Sequence, residues 1–291
     1  MFGKILKGIG GFYYVRGDDG NIVECKARGK FRNIDIKPYV GDNVDIELSA
    51  DEEGKGSILT IHDRKNCFIR PPVANIDTLV IVCACHNPEP DYSFVDKMLV
   101  ICASKNVDAV ICLNKTDLAT GDEIKAFTSV YENIGIPVVC TSNINHDGVD
   151  TLKDLLRGKI TAFSGFSGVG KSTLLNSILG TDNFETGEVS KKIGRGRHTT
   201  RHVELIEFMG GYLVDTPGFG SLEISDVEPD ELKKYFPEFE TYETSCKFPD
   251  CMHLGTKFCG VYDAFEQGDI VQSRFENYKN FYKILKDKKE W

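Results

Sequence analysis

The chain has 291 residues and a formal net charge of −9, from 44 acidic and 35 basic residues. The length predicts about two domains, and the acidic balance argues against a protein that binds nucleic acid over its whole surface, so any RNA contact must be local. Ten cysteines scattered along the chain, with no apolar run long enough to cross a bilayer, favour a protein of the reducing cytoplasm over a secreted disulfide framework or a membrane protein.

The first 67 residues predict a small β domain. Apolar residues cluster or alternate around Val15 and in segments 22–25, 44–48 and 58–61, and turns rich in glycine and aspartate separate them. Roughly five short strands in this length are typical of an OB-like β-barrel.

Basic residues recur at every second position within this first region, at Lys26, Arg28, Lys30 and Arg32. If the segment is extended, the four cations share one face and can follow an RNA backbone. The alternative is an ordinary solvated strand face, and Gly29 is also compatible with a loop. The pattern alone leaves both interpretations open.

Alternating apolar runs and helical stretches follow. The predicted strands are 79–84, 109–113, 136–139 and 160–163, and the predicted helices are 94–104, 123–133, 149–156 and 172–179. This alternation predicts an α/β fold with a doubly wound parallel sheet. An antiparallel pair at 203–208 and 212–214 completes the sheet, and a helix is expected over 264–286.

The tetrapeptide Asn-Lys-Thr-Asp at 114–117 is a candidate guanine-reading motif. It follows the predicted strand 109–113, and ligands of open α/β sheets bind at the carboxyl ends of strands. Asp117 can accept hydrogen bonds from N1–H and the exocyclic amine of guanine, donors that adenine lacks, while Asn114 can bond the acceptor edge and brace a neighbouring loop. Asn and Asp are also common turn residues, so the motif alone is weak. Thr141 and Ser142 occupy the same relative place one strand later and can touch the base by their backbone.

Residues 165–172 read Gly-Phe-Ser-Gly-Val-Gly-Lys-Ser and match G-x-x-x-x-G-K-[ST] between a predicted strand and a predicted helix. The glycines let backbone N–H groups turn toward phosphates, Lys171 can reach the β- and γ-phosphates, and Ser172 can ligate Mg²⁺. A simple glycine-rich turn would leave the Lys-Ser pair unexplained.

The third motif, Asp-Thr-Pro-Gly at 215–218, ends the predicted strand 212–214. There Asp215 can hold Mg²⁺ through water, and the Gly218 N–H can sense the γ-phosphate. Taken alone it could be a turn; together the three motifs indicate a guanine-nucleotide site whose base-reading part comes first, a circularly permuted order. The candidate GTP-binding residues are Asn114, Lys115, Asp117, Thr141, Ser142, Gly165, Ser167, Gly168, Val169, Gly170, Lys171, Ser172, Thr173, Asp215 and Gly218.

Near the end of the chain, Cys246, Cys251, His253 and Cys259 form a candidate metal site. Three thiolates and one imidazole suit tetrahedral Zn²⁺, and no further ligand-type side chain is obvious, so the site is expected to be structural. The alternatives are buried apolar cysteines or a disulfide. These cysteines lie among charged residues, however, whereas buried cysteines usually lie in apolar runs.

The chain resembles the ribosome small-subunit-dependent GTPase A family over nearly its whole length. The likeness rests on the OB-like front, the three motifs in permuted order, the Gly-Arg-Gly-Arg-His-Thr-Thr segment at 194–200 and the terminal Cys/His site. It implies a circularly permuted P-loop GTPase domain, an N-terminal OB-like barrel and a C-terminal zinc-binding, mainly helical domain. It also implies a GTPase that binds the small ribosomal subunit late in maturation and hydrolyses GTP when the subunit stimulates it.

The resemblance further implies that Thr200, or Thr199, is the switch threonine on Mg²⁺. Many GTPases place a glutamine directly after the Asp-x-x-Gly motif, but Phe219 stands there and cannot hydrogen-bond, so unassisted hydrolysis should be slow. His198 can orient the attacking water if its loop closes, although it can equally be a surface histidine. The candidate catalytic residues are therefore His198, Lys171 and Thr200, and the Mg²⁺ ligands are Ser172, Thr200 and Asp215.

Two functions remain open on the sequence. One is a GTPase whose hydrolysis times its departure from the ribosome; the other is a nucleotide-gated RNA-binding module in which hydrolysis is incidental. Three domains are expected, at 1–67, 68–225 and 226–291; this is compatible with a length typical of about two, because one domain is small and another is held together by a metal. The expected partners of this cytoplasmic monomer are the small subunit and its rRNA, with no membrane.

Overall fold

The computed structural model describes residues 1–29, 31, 36–145, 147–181, 203–215, 219–255 and 257–289. Its strands are β1 (Phe2–Ile9), β2 (Phe12–Gly17), β3 (Ile22–Ala27), β4 (Asn43–Leu48), β5 (Lys55–Ile61), β6 (Cys67–Phe68), β7 (Val73–Ala74), β8 (Thr78–Ala84), β9 (Asp108–Asn114), β10 (Val138–Thr141), β11 (Ile160–Ser164), β12 (Glu204–Phe208) and β13 (Gly211–Asp215). Its helices are α1 (Tyr92–Ser104), α2 (Gly121–Glu132), α3 (Val149–Leu156), α4 (Lys171–Leu179), α5 (Glu240–Glu243), α6 (Gly260–Gln267) and α7 (Gln272–Lys289).

Two compact units make up the chain, and both are discontinuous in sequence. The first comprises Met1–Val80, Asp150–Ser164 and Ser172–Gly220, and the second comprises Ile81–Val149, Gly165–Lys171 and Ser221–Trp291. The division passes through β8, α3 and the first residue of α4.

The first unit begins with the expected five-stranded barrel. Its strands follow the order β1-β2-β3-β5-β4, and β4 pairs back with β1, which closes the barrel. Alternate residues of the strands point inward, so Ile5, Val15, Val44, Ile46 and Ile58 are at most 1% exposed and form its core. The prediction of an OB-like barrel is confirmed.

The rest of the first unit continues from the barrel in the order β1-β12-β13-β11. Strands β11 and β13 are parallel, and β12 and β13 form the expected antiparallel hairpin. The hairpin turns at Met209 and Gly210, whose φ angles of 46° and 80° belong to the left-handed region that a tight two-residue turn requires. The barrel and the β11–β13 strands therefore share one sheet, through the pairing of β1 with β12.

The second unit contains strands in the order β10-β9-β8 together with α1 and α2. All seven residues of β8 are buried, as expected for a central strand covered on both faces. Helix α2 starts with a capping box: Thr120 Oγ1 accepts from the Glu123 N–H, and the Glu123 carboxylate accepts from the Thr120 N–H. The predicted β-α alternation is confirmed, with small differences at the ends of elements.

The C-terminal part of the second unit differs from the expectation of one helix over 264–286. Helix α6 ends at Gln267, and its C-cap Gly268 has a φ of 84°, a left-handed conformation that terminates helices. Helix α7 then starts at Gln272. The single-helix prediction is therefore wrong, because Gly268 divides the segment.

A buried ionic network joins α7 to α1 inside the second unit. Arg274 donates to Asp96 Oδ1 at 2.7 Å and to Glu238 Oε1 at 2.7 Å, and Asn277 donates to Asp96 Oδ2 at 2.6 Å. Asp96 is fully buried and Arg274 is 1% exposed.

Among the helices of the described residues, none has the length and apolar character needed to span a bilayer.

Candidate functional site

Asn114, the last residue of β9, joins two loops of the second unit. It is fully buried; its Nδ2 donates to Val169 O at 2.9 Å, and its Oδ1 accepts from Thr141 Oγ1 at 3.0 Å. The side chain thus links the base-reading motif to the phosphate loop and to the loop after β10. This agrees with the expected bracing role, while its contact with a base stays a prediction.

Asp117 lies in a 3₁₀ turn, Thr116–Leu118, that follows β9 directly. Its Oδ1 accepts from Ser142 Oγ at 2.6 Å. Ser142 is itself fixed, because its backbone pairs with Asp147 through two hydrogen bonds of 3.1 and 3.2 Å. The sequence suggested only a backbone role for Ser142, so its side-chain contact with Asp117 was missed.

Lys115 adopts a left-handed conformation, with a φ of 59°, and its Nζ hydrogen-bonds to Asn87 O. Asn87 belongs to the loop after β8, which also carries Pro88 close to Gly168. No motif in the sequence indicated that this loop lies beside the base-reading motif and the phosphate loop.

The phosphate loop runs from the end of β11 to the start of α4, as the motif predicts. Gly165 and Gly170 have φ angles of 153° and 93°. A Cβ at Gly165 would lie 2.3 Å from Val82 O, and one at Gly170 would lie 2.3 Å from Asn114 Nδ2. Only glycine fits either position, so these two glycines are required by backbone approach as well as by conformation.

Lys171 places its ammonium inside the curve of the phosphate loop. Its Nζ donates to Gly165 O at 2.5 Å and to Phe166 O at 2.8 Å. Burial lowers the pKa of Lys171, because desolvation disfavours the ammonium. An anion in the loop would favour the charged form again, which suits a lysine that meets phosphate.

The remaining described candidates lie in the first unit. Ser172 is half-buried in the first turn of α4, Thr173 beside it is exposed, and Asp215 ends β13. Burial and, second, the neighbouring Glu204 raise the pKa of Asp215, while Lys7 acts in the opposite direction. Gly218, His198, Thr199 and Thr200 lie outside the described residues.

Phe219 is 1% exposed and packs edge-on against Phe68, with ring centroids 5.4 Å apart. Its carbonyl oxygen accepts from Ser164 Oγ at 2.8 Å. The residue directly after the Asp-x-x-Gly motif is therefore part of the core of the first unit and cannot orient a water molecule.

The four Cys and His candidates come together in the second unit. Cys246 Sγ lies 4.0 Å from Cys259 Sγ, and His253 Nδ1 lies 3.6 and 3.4 Å from these two sulfurs. Cys251 Sγ is the fourth candidate ligand atom, and all four atoms lie within 4.8 Å of one another. A tetrahedral ion with metal–sulfur bonds of about 2.3 Å needs ligand separations of roughly 3.5 to 3.8 Å, so the cluster can hold a metal ion. The three cysteines are not in disulfides.

His253 is oriented by Glu243, a residue that the sequence did not single out. His253 Nε2 lies 2.9 Å from Glu243 Oε1, and burial lowers the pKa of His253. A neutral imidazole that donates from Nε2 keeps the Nδ1 lone pair for a metal, an arrangement common around metal-binding histidines. A Glu ten residues before the His is too weak a signal to find from sequence.

Of the two described cations in the basic segment, Lys26 lies in a strand and Arg28 lies beyond its end. Strand β3 ends at Ala27, and the Phe31 N–H donates to Arg28 O at 3.2 Å, which makes a turn. Lys26 lies over the Phe12 ring at 5.0 Å, and Arg28 pairs with Glu47. For the described part the structure agrees with the loop that Gly29 allowed. Lys30 and Arg32 lie outside the described residues, and an RNA contact of the four cations stays a prediction.

Comparisons with known proteins agree with this geometry. The family model described as RsgA GTPase matches residues 61–225, and the model described as RsgA N-terminal domain matches residues 2–58. The small ribosomal subunit biogenesis GTPase RsgA of Clostridium beijerinckii is 45% identical over 100% of both chains, and that of Clostridium perfringens strain 13 is 47% identical over 96% of both.

Two solved structures share the fold over almost the whole chain. YjeQ from Thermotoga maritima has a TM-score of 0.83 at 38% identity and covers 98% of each chain. YloQ, described as a circularly permuted GTPase, has a TM-score of 0.83 at 35% identity and covers 99% of this chain and 95% of its own. Because the matches run through the barrel, the permuted motifs and the Cys/His region alike, the chain belongs to the RsgA family of circularly permuted GTPases.

Proposed function

We propose that this GTPase binds the small ribosomal subunit late in its maturation and hydrolyses GTP to GDP and phosphate under stimulation by that subunit. The observation that carries the proposal is Asn114, whose two amide contacts join the guanine-reading motif to the phosphate loop and to the Thr141 loop. The small ribosomal subunit is proposed as the partner because relatives that match this chain over its whole length are named for its biogenesis.

In this proposal the base and the phosphates are bound by separate loops. Asp117, held by Ser142, accepts from the donor edge of guanine, and the backbone N–H groups of residues 165–170 face the phosphates. Lys171 meets the β- and γ-phosphates from within the loop.

Magnesium fits the donors available. The hydroxyls of Ser172 and Thr200 and the carboxylate of Asp215 are hard oxygen ligands, which Mg²⁺ prefers over softer donors. When bound, Mg²⁺ would neutralise charge on the β- and γ-phosphates. This ligand set rests on the motifs.

Hydrolysis is proposed to be slow without the subunit. The position directly after the Asp-x-x-Gly motif is filled by a buried Phe219, so the chain has no water-orienting glutamine there. His198 is proposed to orient the water, and Thr200 to complete the Mg²⁺ shell, when the subunit is bound.

The Cys246, Cys251, His253 and Cys259 cluster is proposed to bind one structural Zn²⁺. Thiolate and imidazole donors select zinc over magnesium, and four protein ligands leave no open position for a substrate. Its support from Glu243 favours a stable site.

The barrel is proposed to contact rRNA through Lys26, Arg28, Lys30 and Arg32. A groove of about 390 Å³ on the barrel supports this, because it combines aromatic and basic side chains, as single-stranded RNA sites do. It is lined by Gly11, Tyr13, Ala27, Arg28, Phe31, Ile36, Lys37 and Pro38. The division into domains 1–67, 68–225 and 226–291, a monomeric state and a cytoplasmic location belong to the same proposal.

The deciding experiment compares GTP turnover by the purified protein with and without purified small subunits. We expect slow turnover without subunits and an increase of at least about tenfold with them. One correctly positioned catalytic group accelerates phosphoryl transfer by at least this much. Large ribosomal subunits serve as the matched RNA-rich control.

Two sets of variants sharpen the result. Replacing Lys26 and Arg28 by Ala should reduce stimulation and leave turnover without subunits unchanged, whereas Lys171→Ala should abolish both. Subunit binding that depends on the nucleotide, with turnover that subunits do not accelerate, would favour the alternative of a nucleotide-gated RNA-binding module. Equal stimulation by both subunits would contradict the assigned partner.

A further inference from the structure

Three charged side chains lie side by side across three strands of the first unit. Lys7 of β1 is the register partner of Glu204 in β12, and Glu204 is the register partner of Asp215 in β13. Cross-strand partners point to the same face of a sheet, with Cβ atoms about 4.5 to 5.5 Å apart. The row therefore reads positive, negative, negative, and it ends on the aspartate of the Asp-x-x-Gly motif.

Lys7 and Glu204 form an ion pair, with Lys7 Nζ 2.5 Å from Glu204 Oε2. The two side chains are 30% and 42% exposed, so water screens their charges only in part. Without Lys7, the carboxylate of Glu204 would stand unneutralised directly beside Asp215. The pair thus fixes the net charge next to this aspartate.

The placement of Lys7 depends on an irregularity of β1. The pairing of β1 with β2 shifts register between Ile5 and Lys7, and both Ile5 and Leu6 are buried, as in a β-bulge. Before the bulge β1 pairs with β4 and closes the barrel; after it, Lys7 pairs with Glu204. The bulge turns a barrel strand toward the strand that leads to Asp215.

From this row we infer that Lys7 and Glu204 are positioning residues for the Mg²⁺ bound at Asp215, and that the first strand of the barrel sets the Mg²⁺ affinity of the nucleotide site. The inference rests on the proposed Mg²⁺ role of Asp215. Neither residue is a ligand in this account: Glu204 attracts the ion, Lys7 repels it, and the ion pair balances the two effects.

The test measures how the retention of a fluorescent GDP depends on free Mg²⁺. Lys7→Met leaves an extra negative charge and should lower the Mg²⁺ concentration for half-retention by about threefold, while Glu204→Gln leaves an extra positive charge and should raise it by about threefold, as expected for one partly screened charge near a divalent ion. The double variant should return to within about twofold of the unmodified protein, because the two effects cancel. Lys7→Arg should behave as the unmodified protein.

The matched control is a second ion pair that involves β12, Arg16 with Glu207. Glu207 is opposite Tyr212, three residues along the strand from Glu204 and on the other face, so Arg16→Met and Glu207→Gln should not move the Mg²⁺ dependence. Thermal unfolding without Mg²⁺ and nucleotide checks that each variant is folded. If Lys7→Met does not fold, the comparison of Glu204→Gln with its control Glu207→Gln still tests the inference, because only Glu204→Gln should raise the Mg²⁺ concentration for half-retention.

Asp215→Asn distinguishes a failure of the inference about Lys7 and Glu204 from a failure of the proposed Mg²⁺ role of Asp215. A large rise in the Mg²⁺ requirement of this variant, with no opposite shifts in the Lys7 and Glu204 variants, would overturn the inference and leave the role of Asp215 intact. An unchanged Mg²⁺ requirement in Asp215→Asn would overturn the ligand assignment itself. Equal shifts in the Arg16 and Lys7 variants would mean a general charge effect and would also refute the inference.

Discussion

The carboxylate of Asp117 takes its direction from Ser142, whose Oγ donates to Asp117 Oδ1 at 2.6 Å. Each carboxylate oxygen has two lone pairs, so this contact does not prevent acceptance from guanine. The serine instead restricts the rotation of the Asp117 side chain before binding, so less conformational entropy is lost when guanine binds. In the proposed role of Asp117, specificity for the base therefore depends on a side chain from a different loop.

Asp117→Asn should weaken GDP binding by roughly 10- to 100-fold, because the new amide presents a donor to a base edge that also donates, which costs about 1 to 3 kcal/mol. Xanthine carries an additional carbonyl that can accept from this amide, so binding of xanthosine diphosphate should improve. Competition of both nucleotides against a fluorescent GDP measures this directly.

Asp122→Asn is the matched control, since Asp122 is exposed in the first turn of α2. Its nucleotide preference should equal that of the unmodified protein. Equal affinity of the unmodified protein for ADP and GDP would refute the assignment of Asp117.

At the level of elements, the C-terminal part depends on a loop more than on regular structure. Between Phe219 and α6, the described residues form only short helical turns and α5, and Cys259 caps α6 by accepting from the Tyr262 N–H at 3.3 Å. A candidate metal ligand is thus also the N-cap of a helix. Metal binding and local folding are expected to be coupled.

Glu243→Gln should accelerate zinc loss, because the hydrogen bond that orients His253 weakens, and loss of such a contact typically costs 10- to 100-fold in metal affinity. Transfer of zinc to a chromogenic chelator measures the rate, and Cys251→Ser should retain no stoichiometric zinc. Glu240→Gln, an exposed residue of the same α5, is the control. The zinc proposal is refuted if protein purified without chelators contains no zinc.

At the level of the whole molecule, the candidate residues belong to two units that are both discontinuous in sequence. In the second unit, α7 is tied to α1 by the network of Asp96, Arg274, Glu238 and Asn277. The first turn of α1 also reaches the phosphate loop, where Phe94 packs on Phe166 with ring centroids 4.4 Å apart. The C-terminal helix is therefore part of the support of the phosphate loop.

Asp96→Asn should reduce the free energy of unfolding by about 1.5 to 3 kcal/mol, because Arg274 and Asn277 lose charge-assisted hydrogen bonds to a buried carboxylate, while Glu238 still neutralises Arg274. The double variant Asp96→Leu with Arg274→Met should lose less than the sum of its single variants. Urea unfolding measures both. Lys97→Met, on the same helix but in a partly exposed pair with Glu223, should cost about 1 kcal/mol or less; similar losses at both positions would contradict the role of the network.

The sequence by itself determined the three nucleotide motifs, their permuted order, the β-α alternation, the barrel and the Cys/His ligand set. The motifs and the candidate ligands are local: a glycine-rich loop between a strand and a helix, or four ligands within a short loop, can be recognised without knowing what packs on it. The one wrong element was also local, since the single helix expected over 264–286 is divided at Gly268.

Only the tertiary structure decided which side chains support the site. Ser142 and Asp117 are 25 residues apart, Asp96 and Arg274 are 178 apart, and Lys7 and Glu204 are 197 apart. Such pairs depend on strand register and helix packing, and many other exposed or buried charges in the chain satisfy the same local patterns. A single sequence specifies the chemistry of each residue, but folding selects the partner that orients it.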